Sequence, residues 1–560
     1  MRVRLLLPAM ILCMMQGYAQ SAFLHRHDES FHIVERYSLL AGRNANELHT
    51  AVNPISQKDA VSFLEKYLVQ HSAELSAKEQ QEIQDFLAMN SEWTEHGHVT
   101  LPSKHPFLKT LYATRNDLLH IEEKDYDLIV NPIIAYQQTV ESGSQTHNEF
   151  LNTKGIEVRG NIGKRLGFYT RFTDNQERGP LHHQQYVLQH QAVPGVTYFK
   201  DFNNDKTAQD YILATGYIEA DIIRQKVNLS FGNDRFQLGD GYRSLFLDDV
   251  GSNYLFLRLN TRLGKFNYQN LFMELVPQYT RGADQLLPRK YAAIHHLSMH
   301  VTPRLNIGLF ESIVFARKDH FDFSYLNPII LYRSVEQTNG SPDNAMMGMN
   351  VKISTPWKMM IYGQVLLDEF SYNQMKKKTG WWANKYGLQL GLKRTDLFGI
   401  KHLLIQPEFN LIRPFTYSYH DSVSEYSHYN QSLAHPYGAN LIEMSLLLQY
   451  RMGKKWHISW KSFYNKQGRD TASTVSFGGN LFNAYTNRNN EYGIRMFNGY
   501  ASTVTYSNLN IAFEYRPSLF VDFGLRYRKE SSVHPANPSF SSRMVYLGFR
   551  LHMSRREYDY

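Results

Sequence analysis

Hydrophobic and polar residues alternate along short stretches of this chain, one stretch after another from residue 127 onward. In 386–393, Tyr386, Leu388, Leu390 and Leu392 fall on one side, and Gly387, Gln389, Gly391 and Lys393 on the other. In 519–528, Leu519, Val521, Phe523, Leu525 and Tyr527 oppose Asp522, Gly524, Arg526 and Arg528. In 509–515, Leu509, Ile511, Phe513 and Tyr515 oppose Asn510, Ala512 and Glu514. Successive side chains of a strand leave by opposite faces, so each stretch predicts a strand with one apolar and one polar face. A soluble sandwich gives the same alternation. Here, however, the polar face carries Arg, Glu and Asp strand after strand, which suits a cylinder with a lipid-facing outside and a wet inside.

Eighteen strands are predicted, at 128–138, 148–160, 166–175, 211–220, 226–235, 253–261, 266–275, 290–301, 304–316, 345–354, 358–369, 385–394, 401–413, 439–451, 456–465, 502–515, 519–529 and 542–552. Even-numbered strands run into tight turns such as Thr302-Pro303 and Met452-Gly453-Lys454-Lys455; odd-numbered strands run into long connections, notably 176–210, 236–252, 317–344, 414–438 and 466–501. Short periplasmic turns and long extracellular loops alternate in this way in outer-membrane barrels. The expected fold is all-β: a transmembrane antiparallel up-and-down barrel of about 18 strands over 127–560, with its long loops folding into the mouth. An even count returns the C-terminus to the periplasm.

Residues 1–20 read as a secretory signal: basic Arg2 and Arg4, an apolar run, then Gly17-Tyr18-Ala19-Gln20 as a cleavage zone. Residues 21–126 predict a small, mainly helical periplasmic domain. Ser56 with Asp59 and Ser76 with Glu79 have capping-box spacing, and Val61, Leu64, Leu68, Ile83, Phe86 and Leu87 recur at helical intervals. Mean hydropathy is −0.45, which hides a barrel because half of each strand is polar. The single cysteine, Cys13, lies in the signal, so the mature chain is expected to have neither disulfides nor thiolate metal sites. Net charge is +8 with His neutral. Much of that excess sits in the short turns, and no basic run points to nucleic acid.

Three long connections mix bulky apolar residues with polar ones: 239–249, 321–336 and 433–440. Apolar residues on water-exposed loops would form adhesive patches, so these loops are expected to turn into the mouth and line a constriction. Sugars present C–H faces that pack on aromatic rings and hydroxyls that want Asp, Asn and Arg. The candidate ligand-binding residues are therefore Tyr242, Arg243, Asp248, Asp249, Asn327, Tyr332, Arg333, Glu336, Trp381, Trp382, His435, Tyr437, Asn440 and Glu443. An alternative for the same loops is a structural plug held by salt bridges.

Carboxylate pairs at Asp248-Asp249 and Asp368-Glu369 raise glycoside hydrolysis, which needs two carboxylates across one bond. Adjacent strand residues face opposite ways, so lumen salt bridges are the expected role. No nucleophile motif, no phosphate-cradling glycine loop, no HExxH and no His/carboxylate spacing typical of a metal site occurs in the sequence. Neither enzyme activity nor a cofactor is expected.

Short motifs in a fixed order run through nearly the whole mature chain. They are Leu48-His49-Thr50 with Asn53-Pro54, Asp127-Leu128-Ile129-Val130-Asn131-Pro132, the 239–249 run, and Tyr325-Leu326-Asn327-Pro328 with Tyr332-Arg333-Ser334-Val335-Glu336. Leu367-Asp368-Glu369-Phe370 and 433–440 with Glu443 complete the order. In these the chain resembles the Wzi family of outer-membrane capsule-assembly barrels, in the branch that includes gliding-motility-associated barrels. The resemblance implies eighteen strands, an N-terminal helical part, a lumen occluded by loops, and lectin-like retention of surface or capsular polysaccharide without catalysis. The rival expectations are a component of gliding or surface-adhesion machinery, partnered by other envelope proteins, and a solute channel.

Overall fold

The computed structural model describes residues 22–94, 102–103, 111–143, 147–163, 166–223, 226–282, 285–318, 320–533 and 539–560. The signal segment read at 1–20 lies outside them. Eighteen antiparallel strands close into a barrel. They are β1 (Tyr126–Gly143), β2 (His147–Ile162), β3 (Leu166–Arg178), β4 (Asp205–Ile223), β5 (Val227–Asp234), β6 (Tyr254–Leu263), β7 (Phe266–Leu275), β8 (Lys290–His300) and β9 (Leu305–Phe315). The second half comprises β10 (Asn344–Thr355), β11 (Met359–Leu367), β12 (Tyr386–Arg394), β13 (Leu403–Ile412), β14 (Leu441–Met452), β15 (Trp456–Arg469), β16 (Tyr500–Arg516), β17 (Leu519–Ser532) and β18 (Phe540–Leu551). Each strand pairs with its sequence neighbours, and β18 pairs with β1 from Ser542 opposite Gly143 to Leu551 opposite Ile134. Closure leaves no long free edge, the condition for a strand structure in hydrocarbon.

The alternation read from the sequence sets which face is which. On β18, Leu547 is 59% exposed on the outside while Tyr546 is 1% exposed inside. On β12, Leu388 and Leu390 face out, and Gln389 and Lys393 face in. The outer belt is apolar and the inner face carries the charges.

Three helices, α1 (Phe31–Ala41), α2 (Gln57–His71) and α3 (Ala77–Met89), pack together at the short-turn end around Val34, Tyr37, Val61, Leu64, Ile83 and Phe86. The Ser76–Glu79 capping box forms. The one expected at Ser56 does not: Asp59 instead pairs with Arg262 at 2.6 Å, and the Ser56 side chain makes no capping bond. The helices meet the barrel through their acids. Glu79 reaches Lys401 at 3.0 Å, Glu82 reaches Arg451 at 2.9 Å and Asp85 reaches Lys454 at 3.0 Å; Arg36 bridges Glu79 and Asp396. The basic excess of the short turns is the counter-charge of this acidic face. Neither the segment before α1 nor the one between α1 and α2 stays outside. Phe23 stacks on Tyr217 of β4 at 4.2 Å, and Val52–Asn53 pairs with Gln237–Leu238 inside the lumen.

At the end of β18 and just beyond it the chain stays beside the N-terminal segment, with Arg550 on Glu29 at 2.6 Å and the Ser554 hydroxyl donating to Asp28 at 2.7 Å. Residues 555–560 then turn into the lumen. Arg556 pairs with Glu177 of β3 at 3.0 Å, and the Tyr560 hydroxyl meets His183. The inward charges of Glu177 on β3, Lys461 on β15 and Arg528 on β17 hold this segment inside.

The 316–343 connection lies elsewhere than expected. It was expected in the mouth; it packs on the outer wall. Leu271, Ala292 and Phe310 belong to the lumen core, whereas Phe272, Tyr291, Ala293, Ile313 and Phe315 of the same strands pack against Tyr325, Tyr332 and Val335 on the opposite face. Beneath this clasp lies an outward polar row, Asn270–His295–Glu311, in direct cross-strand register. Such a row facing hydrocarbon would be costly. The clasp covers it: Tyr332 stacks on His295 at 3.9 Å, the Arg333 amide donates to Glu311 at 3.0 Å, and Tyr268 donates to the Pro328 carbonyl at 2.7 Å. Phe323, Ile329 and Leu331 point away from the wall, fully in keeping with a lipid-facing surface.

Two outcomes are expected. Replacing 321–335 by a short Gly/Ser linker uncovers Asn270, His295 and Glu311, and should lower the temperature at which the barrel loses its folded mobility in heat-modifiability gels, whereas shortening 470–490 should lower it less. Burial pushes the Glu79 carboxyl up, but hydrogen bonds from Ser76, Lys401 and Arg36 outweigh it and hold the group down at about 2. A depressed carboxylate contributes stability above its unfolded value and loses it as pH falls through its folded one. Hydrogen-exchange protection factors over 57–89, corrected for the intrinsic rate, should therefore fall between pH 4.5 and about 2 while the wall strands stay protected, and Glu79→Gln should flatten that dependence.

Candidate functional site

The lumen is filled by the chain itself, chiefly by the 235–253 connection. Two glycines let it lie against the wall. Gly239 has φ +128°, and a Cβ there would meet the Gln364 amide nitrogen at 2.1 Å; a Cβ on Gly241 would meet Glu408 Oε2 at 2.7 Å. The backbone amides of Tyr242 and Arg243 donate to the two oxygens of Glu408 at 2.7 and 3.0 Å. This anchors the turn to β13.

Around that anchor a chain of charges closes. Arg243, 1% exposed, donates to Glu443 of β14 at 3.3 Å and to the Asp559 carbonyl. His435 reaches the same Glu443 oxygen at 3.1 Å. The Tyr242 hydroxyl donates to the Asp559 carboxylate, and the Lys461 ammonium sits 3.2 Å from that hydroxyl. Arg26, arriving from the N-terminal segment, takes Asp249 through Nε at 2.9 Å and Asp248 at 3.2 Å, and donates to the Gly241 carbonyl at 3.2 Å. Asp248 also accepts from the Ser244 amide at 2.9 Å. Buried charges persist only when paired and hydrogen-bonded, and these are. A cavity of about 150 Å³ remains on the short-turn side of the plug, with Arg26, His27, Lys393, His457, Lys461 and Glu557 among its lining.

The carboxylate pairs behave differently from the strand rule. Asp248 and Asp249 share Arg26, and Asp368 and Glu369 share Lys385 at 3.3 and 3.1 Å. Neither pair sits within a regular strand, so adjacent side chains converge on one cation.

The fourteen expected ligand-binding residues separate into three places. Tyr242, Arg243, Asp248, Asp249, His435, Asn440 and Glu443 form the buried plug, with Tyr437 partly buried beside them; Asn440 is fully engaged, donating to the Gly468 and Asn498 carbonyls and accepting from the Phe497 amide. Asn327, Tyr332, Arg333 and Glu336 lie on the outer-wall clasp, which corrects their expected place in the mouth: Tyr332 is buried on His295, and Arg333 pairs with Glu336 at 2.8 Å. Trp381 and Trp382 belong to the crown of long loops. Trp382 is held between Phe415 and Tyr485 with the Arg488 guanidinium 3.8 Å above its ring, and Trp381 is partly exposed.

The crown also holds a recess that the sequence reading did not single out. Tyr198, Tyr279, Arg281, Gln285 and Leu287 line a cavity of about 170 Å³ open to the long-loop side. Tyr198 is 43% exposed. Arg281 is fixed over Phe199 at 4.4 Å and by Asp201 at 2.8 Å, and Tyr279 is braced edge-on by Tyr429 at 5.8 Å. The sequence signal was the Gln278-Tyr279-Thr280-Arg281 run, but its partners come from a different loop.

No protein-family model matches the chain, and no curated protein matches it in sequence. Solved structures do resemble it. Wzi of Escherichia coli, an outer-membrane protein involved in group 1 capsule assembly and described as a carbohydrate-binding β-barrel, superposes with a TM-score of 0.56 at 13% identity, covering 96% of this chain and 100% of that one. OpdK of Pseudomonas aeruginosa, solved with vanillate, gives 0.43 at 9% identity over 76% of this chain and 98% of its own. OprD of the same organism gives 0.39 at 10% over 75% and 95%. At these identities the likeness to Wzi is one of fold: an outer-membrane-type barrel of the same architecture, spanned end to end.

Removing the Arg26 side chain leaves Asp248 and Asp249 buried without their cation. Arg26→Ala should destabilise the plug by about 3 kcal/mol. In planar bilayers the parent protein should show almost no conductance, and Arg26→Ala should show intermittent openings.

Proposed function

We propose that this protein is a non-enzymatic outer-membrane barrel that retains a surface or capsular polysaccharide at its long-loop end. In this reading the short turns and α1–α3 face the periplasm and the crown faces outward. The observation that carries it is the contrast between a lumen plugged by self-satisfied charges and a crown that presents an open recess of two tyrosines, a fixed guanidinium and an amide. A plugged barrel has little use as a solute channel. An aromatic wall offers a surface for the C–H face of a pyranose, while Arg281 and Gln285 offer donors for hydroxyl or carboxylate groups. Arg281 is pre-set by Phe199 and Asp201, which lowers the ordering cost of binding. The likeness of fold to a carbohydrate-binding barrel supports the reading.

Detergent-purified protein should bind members of a glycan array, with preference for acidic polysaccharides. Tyr198→Ala combined with Tyr279→Ala should weaken that binding at least tenfold, about 1.4 kcal/mol, without changing barrel stability. A blank array, with envelope proteins co-purifying instead, would replace this reading by that of an adhesion or motility component.

A further inference from the structure

A group of potential metal donors lies at the foot of the wall, away from both plug and crown. The short strand Leu119–Glu122 pairs antiparallel with the beginning of β1, with Glu122 opposite Asp127 and His120 opposite Ile129. Residues two apart on a strand share a face, and so do directly opposed residues. His120, Glu122 and Asp127 therefore project from one side of a two-stranded ribbon. One donor atom from each lies within 4.8 Å of the other two. Two polar atoms of the group, His120 Nε2 and Asp127 Oδ1, are buried without a hydrogen-bond partner. The other Asp127 oxygen accepts from the Asn161 amide at 2.8 Å, which fixes the carboxylate's orientation. Buried polar atoms without partners are costly, and a cation among them would satisfy both. Glu122 is exposed and gives an ion a way in.

We propose that His120, Glu122 and Asp127 bind one divalent first-row transition-metal ion of the zinc class. The donor set argues for that class: an imidazole nitrogen disfavours Mg²⁺ and Ca²⁺, and two carboxylates with one imidazole suit Zn²⁺ or its neighbours, with water completing the shell. Asn161 acts as the outer partner that orients a ligand. The placement gives the ion a structural task. β18 ends opposite Ile134, so the same edge of β1 below that point lacks a wall partner; Leu119–Glu122 supplies one over 127–130. An ion held across this pair clamps the patch that completes the closure seam, where a bare strand edge would otherwise remain.

The test uses the full chain in detergent, stripped with EDTA and titrated with Zn²⁺. The chain has 24 histidines, so stoichiometry alone does not identify the site. The parent protein should show one saturable equivalent that His120→Ala, Asp127→Asn and Glu122→Gln each weaken at least tenfold. Co²⁺ should give visible d–d bands that His120→Ala abolishes. Glu122→Gln alters an exposed group, so it reports on binding even if the other two disturb folding, and heat-modifiability gels check all three. Equal Zn²⁺ affinity in parent and variants, or no saturable equivalent in the parent, would overturn the proposal, and neither result bears on glycan binding at the crown.

Discussion

A closed sheet turns one face of every strand inward, and in this chain those faces carry charge. That constraint organises the molecule. A wide wet channel could leave the charges to water, but this barrel brings in counter-charges from its own chain. Glu408 takes the amides of the 235–253 connection, Glu443 takes Arg243 and His435, Glu177 takes Arg556, and the acids of that same connection take Arg26. Plug, N-terminal segment and C-terminal residues are held by one interlocking set of ion pairs. Truncating any one partner strands the others in low dielectric.

The outer face poses the opposite problem. It must be apolar, yet Asn270, His295 and Glu311 break it in one cross-strand row. The clasp that covers them presents its own apolar residues outward. The same segment thus satisfies polar groups on one side and continues the lipid-facing belt on the other.

The wall was legible in the sequence because a strand's period of two writes its facing directly into residue order; all eighteen strands occur in the expected sequence with ends shifted by a few residues. The helices were legible from their apolar spacing. The destinations of the long connections were legible only in part: 239–249 and 433–440 turn into the lumen as expected, and 321–336 does not. The mixture of Tyr, Leu, Ile, Arg and Glu in 321–336 suits a lumen and an outer wall equally, and only the outward polarity of three residues on three other strands decides between them. The plug residues were found as candidates because their types are unusual for exposed loops, but the charge that silences them, Arg26, comes from more than 200 positions away. The crown recess and the donors at the foot of β1 were missed for a related reason. Each is assembled by pairing between separate segments, which residue spacing along one segment does not report.

Tyr242 is the point where these distances meet. Its neighbours include Arg26, Glu408, Lys461 and Asp559, drawn from both ends of the chain and two wall strands. The wall itself is a succession of hairpins whose partners are close in sequence, with the β18–β1 seam the exception. Contacts of low sequence separation form quickly, and those of high separation wait for the loop entropy to be overcome. Assembly is therefore expected to be staged: a cylinder that has already curled shut around an unsettled, hydrated interior, followed by a slower locking step in which the two ends find the same tyrosine. Until that step, the nascent barrel is expected to leak.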